Sequence, residues 1–181
     1  QTLDLIAAER ITVVAGAPPM YLSWSAEPNV ADHLAGVRLL MSGAAPLQPA
    51  VFNQIQTVTG KPIWEGYGLT ECAPVVATTL ASGRPKPGSV GRPLPGVEVR
   101  LVDPGRDPDD PDEDRYGEVV VRGDSLFSGY WPDGHDGPDE HGWFPTGDVA
   151  VLDDDGDLRL VDRLKELVLV SGFNVYPREV E

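Results

Sequence analysis

The stretch PIWEGYGLTECAP, residues 62–74, runs from a short apolar segment straight into a turn rich in glycine. Two earlier stretches have the same form, ITVVAG at 11–16 and VRLLMSG at 37–43. Helical patterns separate the three, and an order of strand, helix, strand, helix, strand predicts parallel strands joined by crossovers. The runs are apolar throughout, which is typical of a sheet that helices cover on both faces.

The clearest helix pattern lies in LQPAVFNQIQTVTG, residues 47–60. Phe52, Ile55 and Val58 follow one another at helical spacing, which predicts one buried face. Gly60 is a typical C-terminal stop, because glycine adopts the left-handed conformation that ends many helices.

Each predicted strand ends in a tip of small residues, AGAP at 15–18, SGAAP at 42–46 and GYGLTE at 66–71. The carboxyl ends of parallel strands meet at one edge of the sheet, and ligands of such sheets bind there. One tip alone could be an ordinary turn. Three tips together predict a crevice that holds a ligand.

The third tip is open to three interpretations: an ordinary turn, a cysteine nucleophile, or a site for a phosphate and its metal. A thiol nucleophile needs a partner that lowers its pKa, and no histidine stands near Cys72 in the sequence, which favours a small buried cysteine. Glu71 stands beside glycine-rich backbone and a threonine hydroxyl. Those groups suit a magnesium ion and its phosphate, although Glu71 could merely begin a helix.

Residues 81–96 are rich in glycine, proline and serine and read as a loop or linker. Beyond them apolar and polar residues alternate in VEVRLVD at 97–103 and GEVVVRG at 117–123, which predicts antiparallel strands. We therefore expect an α/β chain, with a partial parallel sheet and helices on both faces followed by a mainly antiparallel β subdomain.

Residues 148–163, DVAVLDDDGDLRLVDR, predict a hairpin with Val149 and Val151 opposite Leu158 and Leu160. The DDDGDL turn superficially resembles a calcium loop. It lacks the remaining spacing and the bidentate glutamate of the twelve-residue loop, so we expect an ordinary hairpin turn.

The composition suits a globular protein, since 41% of the 181 residues are hydrophobic. The net charge of −15 would repel phosphates, which argues against nucleic acid or an anionic membrane as a partner. The acidic run at 103–117 has too few apolar residues to pack and is predicted to be a solvated loop. A single cysteine and the lack of a membrane-spanning run lead us to expect a cytoplasmic protein.

GYGLTECAP at 66–74 resembles the core signature of the adenylate-forming superfamily, which includes acyl-CoA synthetases, peptide-synthetase adenylation domains and firefly luciferase. Four further segments resemble the superfamily in its order: SGAAPL at 42–47, GEVVVRGDSLFSGYW at 117–131, GWFPTGDVA at 142–150 and VDRLKELVLVSGFNVYPREVE at 161–181. In detail they are most similar to bacterial medium- and long-chain fatty acyl-CoA synthetases, with aryl-CoA ligases as an alternative.

The resemblance implies an ATP-dependent acyl-CoA ligase. Such an enzyme joins a fatty acid carboxylate to ATP with Mg²⁺, releases pyrophosphate, and passes the acyl group from the adenylate to CoA. It also implies three regions: residues 1–83 as part of the large domain, 84–161 as its β-rich subdomain, and 162–181 as the hinge and the start of a small C-terminal domain.

The same resemblance implies roles for single residues. Tyr67 would pack against adenine, Thr70 would bond the α-phosphate, and Glu71 would hold Mg²⁺. Asp148 would accept hydrogen bonds from both ribose hydroxyls, with Arg163 near the same ribose. The implied catalytic set is Thr70, Glu71 and the hinge residue Lys165. The implied cofactor-binding set is Gly43, Ala44, Ala45, Glu65, Gly66, Tyr67, Gly68, Thr70, Asp148, Leu160, Arg163, Gly172 and Asn174.

Each role has a plainer alternative. Asp148 could be a turn residue before a strand, and Arg163 could form a surface ion pair with Asp162 or Glu166 that contributes little. The family's phosphate-gripping loop and its catalytic lysine have no match in the sequence, and its first residue is not methionine. We therefore expect a piece of a longer protein that does not complete the reaction alone.

Two other functions remain open at this stage. One is an adenylation enzyme that loads an aryl or amino acid onto a carrier protein. The other is a non-catalytic module that retains the fold. Exposed edge strands also leave a homo-oligomer open.

Overall fold

The computed structural model describes residues 1–102, 116–164, 168–170 and 173–175, the last two ranges as backbone only. Residues 1–68 and 77–91 form one compact unit, and residues 69–76 and those from 92 onward form the other. Most of the acidic run predicted as a loop, and the predicted site residues Lys165 and Gly172, lie outside the described residues.

The first unit contains the predicted parallel strands β1 (Val13–Gly16), β2 (Leu39–Ser42) and β3 (Ile63–Gly68). Val13 lies opposite Leu39 and Leu40 lies opposite Ile63, both in parallel register. The three apolar runs of the sequence are therefore neighbouring strands, and the predicted parallel sheet is confirmed.

Five α-helices accompany these strands among the described residues: α1 (Thr2–Ala8), α2 (Pro18–Ser25), α3 (Val30–His33), α4 (Pro49–Thr59) and α5 (Thr79–Ser82). The core of the unit forms between the helices and the sheet, with Tyr21, Leu34, Ile55 and Ile63 fully buried. The hydroxyl of Tyr21 donates a 2.6 Å hydrogen bond to the carbonyl of Met41 in β2, so the polar tip of this buried ring has an acceptor.

The helix predicted at 47–60 is confirmed as α4, and Gly60 ends it in the left-handed conformation with φ of 70°. The predicted buried face is wrong at one position, because Val58 is 45% exposed. The step of four residues from the buried Ile55 reaches the half-buried Thr59 instead.

The second unit contains a four-stranded antiparallel sheet in the order β6 (Val97–Val102), β7 (Tyr116–Gly123), β8 (Phe144–Leu152) and β9 (Leu158–Arg163). It is preceded by β4 (Val75–Thr78), which runs across the boundary between the units, and by the short β5 (Arg92–Pro93). The unit also holds a short hairpin of β10 (Val168–Val170) and β11 (Phe173–Val175). The predicted antiparallel subdomain is thus confirmed.

The hairpin of β8 and β9 differs from the prediction in its register. Ala150 lies opposite Leu160 and Val151 lies opposite Arg159, because the turn closes with Leu152 opposite Leu158. One extra residue of β9 then shifts the ladder again, so that Val149 lies opposite Asp162. The predicted turn is confirmed: Oδ1 of Asp153 accepts the backbone N–H groups of Asp155 and Asp157. No helix within the described residues combines the length and the apolar character needed to cross a membrane.

Candidate functional site

The tip that follows β2 carries the small residues predicted to line a nucleotide. Ala44 adopts a left-handed conformation with φ of 70°, which is uncommon for a residue other than glycine. Ala44 and Ala45 are exposed and Gly43 is half-buried. Small side chains on this tip leave the backbone open to close approach by a ligand.

The first part of the tip at the end of β3, residues 66–68, belongs to the same unit. Tyr67 is buried, Gly66 is half-buried and Gly68 is exposed. A Cβ atom on Gly66 would lie 3.3 Å from the carbonyl oxygen of Ala77, so the strand that follows packs closely against it. A side chain at this position would require the backbone of Ala77 to shift by a few tenths of an ångström, so packing favours glycine here.

Glu65 precedes this tip and is buried inside the first unit. Its Oε1 accepts the backbone N–H of Gly88 at 3.2 Å. Burial raises the pKa of Glu65 to about 7, and hydrogen bonds from the amides of Gly88 and Leu47 act against that rise. The described contacts of this carboxylate are therefore with the backbone of two neighbouring loops.

Glu71 lies in the second unit, within a 3₁₀ turn at Thr70–Cys72. The hydroxyl of Tyr130 donates a 2.5 Å hydrogen bond to its Oε1, and the backbone N–H of Phe127 donates to its carbonyl oxygen at 2.9 Å. The Tyr130 hydrogen bond holds the pKa of Glu71 below its usual range, so the carboxylate is ionised at neutral pH. Tyr130 was not predicted from the sequence as a site residue.

The prediction of a small buried cysteine is confirmed. Cys72 is buried and unpaired with any other cysteine. Burial, followed by the negative charge of Glu71, raises the pKa of the Cys72 thiol to about 11. A thiol in this environment is protonated at neutral pH and is a poor nucleophile.

Asp148 and Arg163 face each other across β8 and β9 as a ladder pair. Nε of Arg163 lies 3.1 Å from Oδ1 of Asp148, with the arginine side chain 70% exposed and the aspartate side chain 15% exposed. The alternative ion pair with Asp162 is wrong, because that carboxylate is buried and accepts the backbone N–H of Arg163 rather than its guanidinium.

These side chains share a cavity of about 960 Å³ in the second unit. Its walls combine three parts of the unit: the 3₁₀ turn, the segment around Tyr130, and parts of β7, β8 and β9. The lining residues that carry the chemistry are Glu71, Glu118, Tyr130, Thr146, Gly147, Asp148 and Arg163. The predicted residues Thr70 and Leu160 stand outside this set; Leu160 instead pairs with Ala150 in the sheet.

One wall of the cavity is held by a stack of three side chains. The guanidinium carbons of Arg100 and Arg122 lie 4.3 Å and 4.7 Å from the ring centroid of Trp143. Arg122 also forms a two-point ion pair with Glu98, at 2.8 and 2.7 Å. Cation–π contacts of this kind fix the position of an aromatic ring that is only half-buried.

The residues present fit a magnesium ion that comes with a phosphate. Mg²⁺ keeps several waters and typically takes one or two protein carboxylates together with phosphate oxygens. Glu71 offers one ionised carboxylate at the cavity wall. No group of three or more histidine, cysteine or acidic side chains that could hold a metal occurs within the residues that the structure describes, so a cage made only of such side chains is not found in that part of the chain.

The remaining predicted site residue, Asn174, lies in the hairpin of β10 and β11, opposite Leu169. Its side chain lies outside the described part of the chain.

A family model described as AMP-binding enzyme matches residues 1–131 of the chain. A long-chain-fatty-acid–CoA ligase of Yersinia pestis is 47% identical over 147 residues, covering 80% of this chain and 26% of that protein. The 4-coumarate–CoA ligase 1 of Glycine max is 36% identical over 188 residues, covering 99% of this chain and 64% of that protein. The chain thus spans about a quarter of the length of the bacterial ligase and about two thirds of the plant one.

Solved structures of related enzymes have a similar fold over nearly the whole of this chain. ATP-bound MatB from Rhodopseudomonas palustris superposes with a TM-score of 0.86 at 35% identity, covering 99% of this chain and 36% of that one. The anthranilate CoA ligase AuaEII in complex with anthranoyl-AMP superposes with a TM-score of 0.85 at 29% identity, covering 99% of this chain and 35% of that one.

Proposed function

This chain belongs to the AMP-binding enzyme family, and from that premise we propose that its second unit binds the ribose and phosphates of an acyl-adenylate. The complete reaction would be that of an ATP-dependent acyl-CoA ligase, which activates a carboxylate as its adenylate and transfers the acyl group to CoA. ATP, Mg²⁺ and CoA are the implied cofactor and co-substrates.

The observation that carries this proposal is the pair of Asp148 and Arg163 at the cavity wall. A carboxylate has two oxygens and accepts hydrogen bonds only, which suits two neighbouring ribose hydroxyls. The guanidinium of Arg163 lies 3.1 Å from one oxygen of this carboxylate, and its side chain is 70% exposed, so it would also be within reach of a ligand in the cavity.

The phosphates would lie toward the 3₁₀ turn. The Thr70 hydroxyl would donate to the α-phosphate, and the Glu71 carboxylate would bind Mg²⁺. The metal, when bound, would offset the negative charge that phosphates bring into a cavity lined by several acidic side chains. The hydroxyl of Tyr130 keeps Glu71 ionised and oriented, as the geometry above supports.

In the first unit, Tyr67 would pack against adenine, and Gly43, Ala44 and Ala45 would line the base and the start of the acyl channel. Glu65 would support the same tip without contacting the ligand, because its buried carboxylate accepts a hydrogen bond from the loop backbone at Gly88. Lys165, Gly172 and Asn174 would act at the hinge and near CoA. A cytoplasmic location and a homo-oligomeric state remain predictions.

For the acid we favour a fatty acid. The support is the 47% identity to the bacterial long-chain ligase, which exceeds the 36% identity to the plant 4-coumarate ligase. The second candidate is an aromatic acid, and its support is the plant ligase, which matches 99% of this chain.

The nucleotide part can be tested with this chain. Titrate the ¹⁵N-labelled protein with AMP and with 2′-deoxy-AMP, and follow the amides of Gly147 and Asp148. We expect AMP to bind about tenfold more tightly than 2′-deoxy-AMP, because one hydrogen bond to a charged acceptor changes the affinity by about that factor. Asp148→Asn should remove most of that preference. Equal affinity of the wild-type chain for both nucleotides would contradict the proposal.

The acid part needs a second titration. Non-hydrolysable N-acylsulfamoyl adenosines with a palmitoyl group and with a coumaroyl group can be compared with sulfamoyl adenosine. A fatty acid site should give the palmitoyl compound the highest affinity, since burial of each methylene contributes about 0.8 kcal/mol. A higher affinity for the coumaroyl compound would favour the aromatic candidate instead.

A further inference from the structure

We propose that Glu118 is a positioning residue that fixes Asp148 at the cavity wall, and this inference rests on the proposed role of Asp148. Oε1 of Glu118 accepts the backbone N–H of Gly147 at 3.0 Å. Gly147 immediately precedes Asp148 in the chain. The glutamate therefore holds the backbone immediately before Asp148.

The need for such a bond follows from the ladder between β7 and β8. Glu118 lies opposite Val149, and the next pair is Val120 with Pro145. Between these pairs β7 advances two residues while β8 advances four, so the Thr146–Asp148 segment bulges from the ladder. Backbone groups in a bulge lose their ladder partners and need other ones.

Side chains and backbone near β7 supply those partners. The Thr146 hydroxyl donates to the carbonyl of Val119 at 2.8 Å and accepts the N–H of Asp148 at 3.1 Å. The Glu118 carboxylate accepts a hydrogen bond from the backbone N–H of Gly147, which lies between Thr146 and Asp148. Three successive residues of the bulge are thus tied down by three hydrogen bonds.

The conformation of Gly147 explains why the ties are needed. Its φ is +74°, in the left-handed region, and a Cβ atom placed on it would meet no atom within 4 Å. Among the residues that the structure describes, no atom stands where a side chain of this residue would, so hydrogen bonds rather than packing hold it. A glycine held only by its neighbours in sequence would sample many conformations, and Asp148 would move with it.

The consequence concerns ribose recognition. Asp148 must offer its two oxygens at the spacing of two hydroxyls, and displacement of a binding group by about 1 Å can cost much of its effect. Removing the Glu118 acceptor should therefore weaken the preference for a ribose with both hydroxyls. Its loss would also remove a negative charge, which raises the affinity for any nucleotide, so the ratio of two nucleotides is the informative quantity.

The test compares three variants of this chain. Glu118→Ala removes the acceptor, Glu118→Gln keeps a carbonyl oxygen in its place, and Glu98→Ala is the matched control. Glu98 lies on the adjacent strand of the same sheet, and its carboxylate bonds Arg122 rather than the bulge. For each, the affinity ratio of AMP to 2′-deoxy-AMP and the hydrogen-exchange rate of the Gly147 amide are measured by NMR.

We expect Glu118→Ala to lower the ratio from about tenfold to about twofold and to speed Gly147 amide exchange about tenfold. Glu118→Gln should stay close to the wild type in both the affinity ratio and the exchange rate of the Gly147 amide, and Glu98→Ala should match the wild type in both. An unchanged ratio or an unchanged Gly147 exchange rate in Glu118→Ala would overturn the inference. Failure of the proposed function would appear in the wild-type chain itself, as a ratio near one, before any variant is compared.

Discussion

The hydroxyl of Tyr130 donates a hydrogen bond to Oε1 of Glu71, 59 residues away in sequence. The ring of Tyr130 is itself held edge-on by Phe127, with centroids 4.9 Å apart, and Phe127 packs in the same way on Phe144. The backbone N–H of Phe127 donates to the carbonyl of Glu71. One short segment thus binds both the main chain and the side chain of the proposed metal ligand.

Replacing Tyr130 by phenylalanine should raise the pKa of Glu71, since the hydroxyl is the largest cause of its depression. A depressed pKa in the folded state gives stability that is present above the unfolded pKa and is lost as pH falls through the folded value. Between neutral and low pH, Tyr130→Phe should therefore lose less of its free energy of unfolding than the wild type loses. Carboxyl ¹³C NMR titration measures the shift directly.

An internal control for that titration is Glu98, whose pKa is lowered by Arg122 and not by Tyr130. Its titration should coincide in the two proteins. If Glu71 also titrates identically in both, the hydroxyl does not stabilise the carboxylate.

The stack of Arg100, Trp143 and Arg122 should stabilise the second unit. Each exposed cation–π contact contributes about 0.5–1 kcal/mol, so Trp143→Leu should lower the free energy of unfolding by about 1–2 kcal/mol. Urea denaturation of the variant and the wild type measures this difference in the free energy of unfolding. The matched control is Trp131→Leu, because Trp131 is 91% exposed and its replacement should change the free energy by less than about 0.5 kcal/mol. Equal losses in the two variants would argue against the stack.

Glu65 should make stability depend on pH near neutrality. Burial raises its pKa from 4.5 to about 7 in the folded chain. Because the folded value lies above the unfolded one, the stabilisation from proton binding is complete below about pH 4.5 and is lost as pH rises through about 7. Between those values the wild type should lose about 2 kcal/mol more than Glu65→Gln does.

The glutamine variant keeps an oxygen that can accept the amide of Gly88 but carries no titratable proton. Urea unfolding of both proteins at pH 5 and pH 8 therefore separates the charge of Glu65 from its hydrogen bond. Parallel pH profiles would show that the buried carboxylate is not the source of the dependence.

Cys72 should resist alkylation in the folded chain. Its thiol is buried and its pKa is raised to about 11, so both access and the thiolate fraction are low at pH 8. Mass spectrometry after iodoacetamide treatment should find it unmodified in buffer and fully modified in urea. Comparable labelling rates in the two conditions would mean that the 3₁₀ turn opens readily.

The sequence predicted the fold well where a simple period governed it. The three parallel strands, α4 and its glycine stop, and the antiparallel strands β6 and β7 follow from runs of apolar residues and from alternation. Val58 was assigned to the wrong side because a three-residue step was followed where the helix surface continues by four. The hairpin register was missed because alternation does not show where the turn ends, and the turn closes with Leu152 rather than Val151 opposite Leu158.

The site could be predicted only in part. Glu71, Asp148 and Arg163 stood out through the resemblance of their motifs, and the structure brings all three to one cavity. Glu118 and Tyr130 lie within the GE and GYW segments of the same resemblance, but only the folded chain reveals their hydrogen-bond partners. Those partners are distant in sequence, and no local pattern encodes a pairing between residues 71 and 130.

The bulge in β8 also bears on which changes in length the chain can accept. Asp148 lines the cavity while Val149 is buried, and β8 carries two extra residues opposite Val119, an even number that leaves the alternation of its faces in phase. Deleting one residue there would turn the carboxylate inward and the valine outward. Insertions and deletions of a single residue, among homologues or in engineered variants, should therefore be rare between Pro145 and Val149.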